Sequence, residues 1–214
     1  MDQTTNTREY KRIVLEGNIC SGKTTLIEYL KENIKREDIN VVDSGFGLFH
    51  PNLEYNILRY NNEDPKNWTF LAQVTFMQLL NKLQNKEMNC HINVFNRSIF
   101  SVHNVFNQVY YEDAYLTSTE YGYLNKLYKK LIKRETKQID LLIFFKSETA
   151  TLETRATTNT FKRYIPRFQT YYDKLLKIIK NDNKDIKNIY IIDSNKSLDD
   201  LKEDYKNILN IINE

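Results

Sequence analysis

The sequence predicts an α/β fold in which a doubly wound, five-stranded parallel sheet is flanked by helices. Short strand-like runs alternate with longer helical patterns along the 214 residues, as they do in successive βαβ units. Two of these runs, residues 141–145 and 189–192, show no polar alternation, which is typical of parallel strands covered on both faces. A glycine-containing turn at residues 17–22 lies between an apolar run and an amphipathic pattern, as expected where a strand leads into a helix.

The individual elements are predicted from the hydrophobic period of each segment. Strands are expected near residues 12–17, 40–43, 91–95, 140–145 and 188–193. Helices are expected around residues 23–35, 67–87, 101–112, 120–134, 161–180 and 198–212. We expect these elements to form one domain over residues 1–214, with residues 1–11 as a flexible N-terminus.

The composition is that of one domain with a sizeable core, because 41% of the residues are hydrophobic. A net charge of +3 is mild beside the strongly basic balance of nucleic-acid-binding proteins, so we expect no nucleic-acid partner. Residues 1–10 lack the apolar core of a signal peptide, and no run approaches the roughly 18 apolar residues of a membrane span. We therefore expect a cytoplasmic protein that does not bind a membrane.

Three other groups of residues have ordinary structural explanations. The two cysteines and three scattered histidines show neither a disulfide framework nor metal-ligand spacing. Cys20 is the partial exception, because a helix N-terminus can lower a thiol pKa, but a passive role in its loop is favoured. A basic stripe at helical spacing fits a solvated helix face better than a surface for an acidic partner. The stripe consists of Lys126, Lys129, Lys130, Lys133, Arg134 and Lys137.

Residues 17–24 have the spacing G-x-x-x-x-G-K-T of a phosphate-binding loop, or P-loop. In this motif backbone N–H groups surround the α- and β-phosphates of a nucleoside triphosphate, while Gly17 and Gly22 permit the turns. Lys23 is expected to reach the β/γ oxygens and the Thr24 hydroxyl to face Mg²⁺. The N-terminus of the next helix points at the same phosphates. The residues expected to hold the nucleotide are Gly17, Asn18, Ile19, Cys20, Ser21, Gly22, Lys23, Thr24 and Thr25.

Further site residues are expected where predicted strands end, because ligands of doubly wound sheets collect outside the carboxyl ends of the strands. The residues that follow strands are Asp43, Ser44, Asn96, Arg97, Lys146, Ser147 and Asp193.

Four segments resemble the deoxyribonucleoside kinases, the family that contains thymidine, deoxycytidine and deoxyguanosine kinases. Residues 16–25 resemble the family's P-loop, and residues 63–68 followed by Gln73 resemble its base-recognition helix. Residues 96–101 resemble its E-R-S segment, and residues 191–193 with the following loop resemble its last strand and adenine-binding turn. The resemblance implies ATP and Mg²⁺ as cofactors, a small-molecule nucleoside as substrate and a homodimer.

The resemblance also implies a catalytic role for three residues. Asp43 matches the carboxylate that accepts the proton of the 5′-hydroxyl, although the family normally has Glu there; a loop-capping Asp is the alternative. Arg97 would hold the 5′-oxygen or the transferring phosphoryl group, and its alternatives are a surface charge or a structural ion pair. Lys23 would hold the phosphates of ATP.

Six residues are expected to contact the nucleoside. Gln73 has the paired donor and acceptor that read a base edge, and Phe106 matches the family's stacking aromatic. Apolar side chains at Leu80 and Val102, where deoxycytidine-preferring members carry charged groups, favour the methyl group of thymine. The other two are Trp68, for which core packing is the favoured alternative, and Tyr60, which could hold the 3′-hydroxyl.

Two departures from the family bear on activity. Asn96 stands where the family has an acidic residue that helps to hold hydrated Mg²⁺. Residues 155–163 resemble a shortened lid without the family's paired glutamates, in which Arg155 and Arg163 are the candidate phosphate-binding arginines, or else solvated helix residues.

Three functions are consistent with these patterns. The first is an ATP-dependent deoxynucleoside kinase of nucleotide salvage, cellular or viral, that prefers thymidine. The second is a catalytically weak or inactive relative that acts as a binding or structural protein. The third, less favoured because the residues after Glu16 and Gly17 differ, is a nucleoside monophosphate kinase.

Overall fold

The structure is a computed structural model that describes residues 11–42, 63–86, 90–132, 139–181 and 186–213. Asp43, Ser44, Tyr60 and the three C-terminal members of the basic stripe lie outside the described residues, so the expectations for them stay predictions.

The described strands form a five-stranded, all-parallel sheet in the order β2-β3-β1-β4-β5, which confirms the predicted fold class. The strands are β1 (Lys11–Gly17), β2 (Ile39–Val42), β3 (Ile92–Asn96), β4 (Ile139–Lys146) and β5 (Ile186–Asp193). After β1 the chain crosses to β2 at one edge of the sheet and returns to β3, which lies between β2 and β1, and then adds β4 and β5 on the other side of β1. The carboxyl end of β1 is therefore the topological switch point, where ligands of such sheets bind.

The described helices lie close to their predicted positions, with one addition. They are α1 (Lys23–Asn33), α2 (Pro65–Lys86), α3, α4 (Ser118–Ile132), α5 (Thr149–Arg155), α6 (Asn159–Asn181) and α7 (Leu198–Asn213). Helix α3 has three consecutive parts, which are α-helical Ile99–Ser101, π-helical Val102–Phe106 and α-helical Asn107–Glu112. The added helix is α5, in which Leu152 is the buried residue, so the segment has little hydrophobic period to signal it.

The side chains of consecutive β1 residues pack into two different hydrophobic clusters, one on each face of the sheet, because side chains alternate across a strand. Leu15 packs with Leu26 and other residues of α1 and α7 on one face of the sheet. Val14 packs with Phe144 and residues of α3 and α6 on the other face. The same alternation sends Glu16 towards α6.

Helix α4 shows how the basic stripe is accommodated. Leu124 and Leu131 are buried, whereas Lys126, Lys129 and Lys130 are exposed on the opposite side.

Within the described part of the chain, no helix is long and apolar enough to cross a membrane.

Candidate active site

The P-loop connects β1 to α1 in a conformation that requires glycine. Gly17 has φ 145°, and a Cβ atom there would lie 2.8 Å from both the Cβ and the carbonyl oxygen of Phe145 on β4. Gly22, at the start of α1, has φ 99°, and Cys20 between them is also left-handed at φ 60°. Burial raises the pKa of the Cys20 thiol, which favours a passive role for this residue.

Lys23 lies inside the loop. Its Nζ donates to the carbonyl oxygens of Gly17 (2.9 Å) and Asn18 (2.6 Å) and to Ser21 Oγ (3.1 Å). Burial lowers the pKa of Lys23 well below its ordinary value, and the nearby Arg97 acts in the same direction. Burial thus disfavours the charged form of Lys23, and an anionic phosphate bound beside its Nζ would favour that form.

Arg97, directly after β3, reaches the same carbonyl oxygen as Lys23. Its NH1 lies 3.4 Å from Gly17 O and also donates to the hydroxyl of Tyr172 on α6. Its guanidinium carbon is 5.0 Å from the centre of the Phe106 ring, within the range of a cation–π contact. The side chain is half-buried beside the P-loop, and its role in phosphoryl transfer stays a prediction.

Glu16 fixes the turn that carries Arg97, a role that its position in the sequence did not predict. The side chain is 1% exposed, and Oε1 accepts from the N–H (2.9 Å) and hydroxyl (2.6 Å) of Ser98. Its Oε2 has no hydrogen-bond partner among the described residues, and burial raises the pKa of this carboxyl against the opposing effect of Arg97. A carboxylate after three apolar strand residues, Ile13 to Leu15, is the signal that could have identified it.

Two of the residues expected near the metal, Thr24 and Asn96, are described in the structure. Thr24 is exposed in the first turn of α1, which contains no acidic residue. Asn96 is the register partner of Leu15 and therefore lies on the α1 face of the sheet, 8% exposed. Among the described residues, no three His, Cys, Asp or Glu side chains cluster as a metal site. The Thr24 hydroxyl could take one position of a hydrated Mg²⁺, whose other ligands would be phosphate and water.

The predicted base-reading residues lie on α2 and α3, which pack against each other. Gln73 on α2 is 2% exposed, and its Oε1 has no hydrogen-bond partner among the described residues. Leu80 and Val102 are buried in one apolar cluster, and Trp68 at the start of α2 is half-buried. Phe106 lies apart from that cluster, with its ring centre 4.7 Å from that of Phe168 on α6.

One buried amide near this group was missed. Asn107 is fully buried, its Nδ2 lies 3.8 Å from Met77 Sδ, and its Oδ1 has no partner within the described ranges. Its position in the sequence, next to Phe106 and without a motif of its own, gave no signal.

The two lid arginines are held in different places. Arg155 at the end of α5 donates to Ser194 Oγ (3.3 Å) and to Lys196 O (3.1 Å), while Ser194 Oγ donates to Ser21 O in the P-loop (2.8 Å). Arg163 on α6 donates to the hydroxyl of Tyr115 (3.4 Å). Arg155 is thus connected to the P-loop through one serine, whereas the hydrogen bond of Arg163 is to Tyr115, and the phosphate-binding role of both arginines stays a prediction.

These features define a nucleotide-binding P-loop fold, and comparison with known proteins gives the family. The family model for deoxynucleoside kinases matches residues 13–214, so the chain belongs to the deoxynucleoside kinase family.

Individual relatives are distant and carry different names. A probable deoxycytidine kinase of fowlpox virus is 28% identical over 146 residues, which cover 64% of this chain and 57% of the relative. The mitochondrial deoxyguanosine kinase of Xenopus laevis is 23% identical, covering 62% of this chain and 57% of the relative. Human mitochondrial thymidine kinase 2 is 23% identical, covering 67% of this chain and 54% of the relative. The chain therefore spans little more than half the length of the curated relatives that it matches.

Proposed function

We propose that this protein transfers the γ-phosphoryl group of ATP to the 5′-hydroxyl of a deoxynucleoside. One observation carries the proposal beyond family membership. Lys23 from the P-loop and Arg97 from the end of β3 converge on the carbonyl oxygen of Gly17, at 2.9 and 3.4 Å. Two cationic groups at the carboxyl end of the central strand are suited to a transferring phosphoryl group.

Phosphoryl transfer requires the protein to position the reactants and to stabilise charge, and it requires no covalent intermediate with the protein. Lys23 would exchange its loop carbonyl partners for phosphate oxygens, and Arg97 would face the transferring group. Asp43 is proposed as the acceptor of the 5′-hydroxyl proton. Mg²⁺, which neutralises phosphate charge when bound, would be held by the Thr24 hydroxyl together with phosphate and water.

We propose thymidine as the preferred substrate. A buried Gln73 can read a base edge by hydrogen bonds, and the apolar Leu80 and Val102 suit a thymine methyl group better than a cytosine amino group. The discrimination is expected to be modest, since one methyl contact contributes about 1–3 kcal/mol. The names of the relatives refer to deoxycytidine, deoxyguanosine and thymidine, so these names do not indicate which base this protein prefers.

The rest of the proposal rests on the family resemblance, except that the cytoplasmic location rests on the polar composition of residues 1–10. It comprises ATP as the donor, a homodimer, a cytoplasmic location and a role in nucleotide salvage, with a virus as one source.

A binding or structural protein of the same family is the second candidate. It is favoured by Asn96, a neutral amide on the α1 face where an acidic metal partner is expected. Such a protein would still bind ATP or a nucleoside without turnover.

An assay of ATP-dependent phosphorylation across the four deoxynucleosides and dTMP separates these functions. The proposed kinase should phosphorylate thymidine with a higher kcat/KM than deoxycytidine and should leave dTMP unchanged. Activity on dTMP alone, or ligand-induced rises in Tm without any product, would contradict the proposed function.

A further inference from the structure

One face of helix α6 contacts both the P-loop and Arg97. Asn18 Nδ2 of the P-loop donates to the carbonyl oxygen of Ile165 (3.1 Å) and to Gln169 Oε1 (3.0 Å). Tyr172 comes three residues after Gln169, which places it on the same side of the helix, and its hydroxyl accepts from Arg97 NH1. The position of α6 is therefore coupled to both cationic parts of the site.

The backbone of Arg97 is held in an unusual conformation. Its φ of 73° is left-handed, a region that residues other than glycine rarely occupy. The conformation is stabilised by two hydrogen bonds, from Arg97 N to Leu15 O (2.9 Å) and from Gln84 Nε2 to Arg97 O (3.1 Å). With the backbone fixed, the remaining freedom is in the side chain, whose orientation decides where its charge lies.

Among the described residues, the Arg97 guanidinium contacts Gly17 O, the face of Phe106 and the hydroxyl of Tyr172, and it also interacts electrostatically with the buried carboxyl of Glu16. Tyr172 itself cannot move freely. It is 1% exposed, and its ring packs edge-on against Phe106 (6.4 Å between ring centres) and Phe144 (6.2 Å). Rigid aromatic packing thus fixes the place of the hydroxyl oxygen.

The Tyr172 hydroxyl is a neutral partner, so it adds no negative charge beside Arg97 beyond that of Glu16. Burial raises the pKa of the Tyr172 hydroxyl, although Arg97 acts in the opposite direction, so the hydroxyl stays protonated at neutral pH. An arginine has donors only, so the phenolic oxygen is the acceptor in this contact. A carboxylate in the same place would orient the guanidinium but would also compete with the phosphoryl group for its positive charge.

We propose that Tyr172 is a positioning residue for phosphoryl transfer, which orients the guanidinium of Arg97 against the P-loop from helix α6. It acts through Arg97 and does not touch the substrate; the inference rests on the proposed kinase function.

The variant Tyr172→Phe tests this role, because it keeps the ring and removes only the hydroxyl. We expect kcat to fall about 10- to 100-fold, the range for loss of a hydrogen bond to a charged group, with the KM values for nucleoside and ATP changed less than about twofold. The matched control is Tyr171→Phe, because the neighbouring hydroxyl donates to Glu112 instead of contacting Arg97. Its kcat should equal that of the wild type.

A double-mutant cycle with Arg97→Lys separates positioning from packing. If Tyr172 acts through Arg97, adding Tyr172→Phe to Arg97→Lys should lower kcat by less than about threefold further. Full additivity, or equal losses of kcat in Tyr172→Phe and Tyr171→Phe, would overturn the positioning role. An unchanged kcat in Tyr172→Phe would overturn it as well.

NMR of the arginine side chains gives a readout that does not depend on turnover. The Nε–H signal of Arg97 should shift and exchange faster in Tyr172→Phe, but not in Tyr171→Phe. An unchanged Arg97 signal overturns the contact. If the wild-type protein phosphorylates none of the nucleosides, both the proposed function and the positioning role are contradicted. The contact between Tyr172 and Arg97 is tested separately, because a changed Arg97 signal in Tyr172→Phe would establish it even without activity.

Discussion

At the scale of single residues, the site is built around one carbonyl oxygen, that of Gly17. Lys23 and Arg97 both approach it, and Gly17 itself can have no side chain because of Phe145 on the neighbouring strand. The glycine spacing and Lys23 could be predicted from the sequence, because a motif encodes them within eight residues. The contacts that orient Arg97 could not. Ser98 lies 82 residues from its partner Glu16 in the sequence, and Tyr172 lies 75 residues from Arg97. Local sequence patterns do not predict pairs that are this far apart.

Replacing Gly17 by alanine should destabilise the protein. The added methyl group would meet Phe145 at 2.8 Å, including its backbone carbonyl, and the left-handed φ adds strain. We expect a loss of more than about 2 kcal/mol in the free energy of unfolding, from overpacking together with backbone strain, measured by urea denaturation.

The matched control is Gly122→Ala in helix α4, where a Cβ atom meets nothing within 4 Å. It should stabilise the protein by about 0.5–1 kcal/mol, the helix propensity difference between glycine and alanine. Equal effects of the two substitutions would contradict the account of the loop.

Asn96→Glu should change the metal requirement of the active enzyme. A carboxylate on the α1 face would help to hold hydrated Mg²⁺, so the Mg²⁺ concentration for half-maximal rate should fall roughly tenfold and kcat should rise. The titration is done on steady-state rates and, independently of turnover, on Mg²⁺-dependent binding of ATP.

Asn96→Gln has the same length as the glutamate variant but no charge, so it controls for side-chain size. The assignment of Asn96 to the metal site is wrong if the wild type is fully active at ordinary Mg²⁺ and Asn96→Glu only impairs it.

At the scale of elements, strands were predicted better than helix details. An unbroken apolar run such as that in β4 identifies a buried parallel strand, and all five predicted strands were confirmed. The start of α3 at Ile99 and its π-helical part, Val102–Phe106, were not predicted. A π-helical turn depends on packing against other elements, here α2, α4 and α6, rather than on local period.

Contacts between α3 and α4 give a prediction for pH dependence. His103 on α3 stacks on Tyr128 of α4 with ring centres 3.8 Å apart. Burial, with a smaller effect of Lys129, lowers the pKa of His103 from 6.5 to about 4. Below pH 6.5 the unfolded chain binds a proton that the folded protein does not, so this contribution to stability is lost as the pH falls towards 4.

The variant His103→Phe keeps the stacking and removes the titration. Between pH 6.5 and 4 it should lose less stability than the wild type, by on the order of 1–2 kcal/mol after allowance for partial solvent screening. Thermal unfolding at a series of pH values measures the difference. Parallel pH profiles for wild type and His103→Phe would show that His103 is not responsible.

At the scale of the whole molecule, the parallel strands place the P-loop, Arg97 and the Ser194 loop at the same carboxyl end of the sheet. The P-loop follows β1 at the switch point, Arg97 follows β3, and the Ser194 loop follows β5. Helix α6 lies across this end and contacts both Asn18 and Arg97. This arrangement could be predicted in outline, because right-handed crossovers leave few topologies, whereas the separation of Arg155 from Arg163 depends on side-chain partners on distant elements.

The central claim is that phosphoryl transfer takes place at the P-loop. Its most direct measurement is the rate of γ-phosphoryl transfer from labelled ATP to a nucleoside by Lys23→Ala, compared with Lys35→Ala, an exposed lysine just after the end of the same helix. We expect Lys23→Ala to lose at least about 100-fold in kcat with little change in circular dichroism, because the ammonium group that would face the phosphates is gone. Lys35→Ala should keep the wild-type rate. Near-normal transfer by Lys23→Ala would contradict the account.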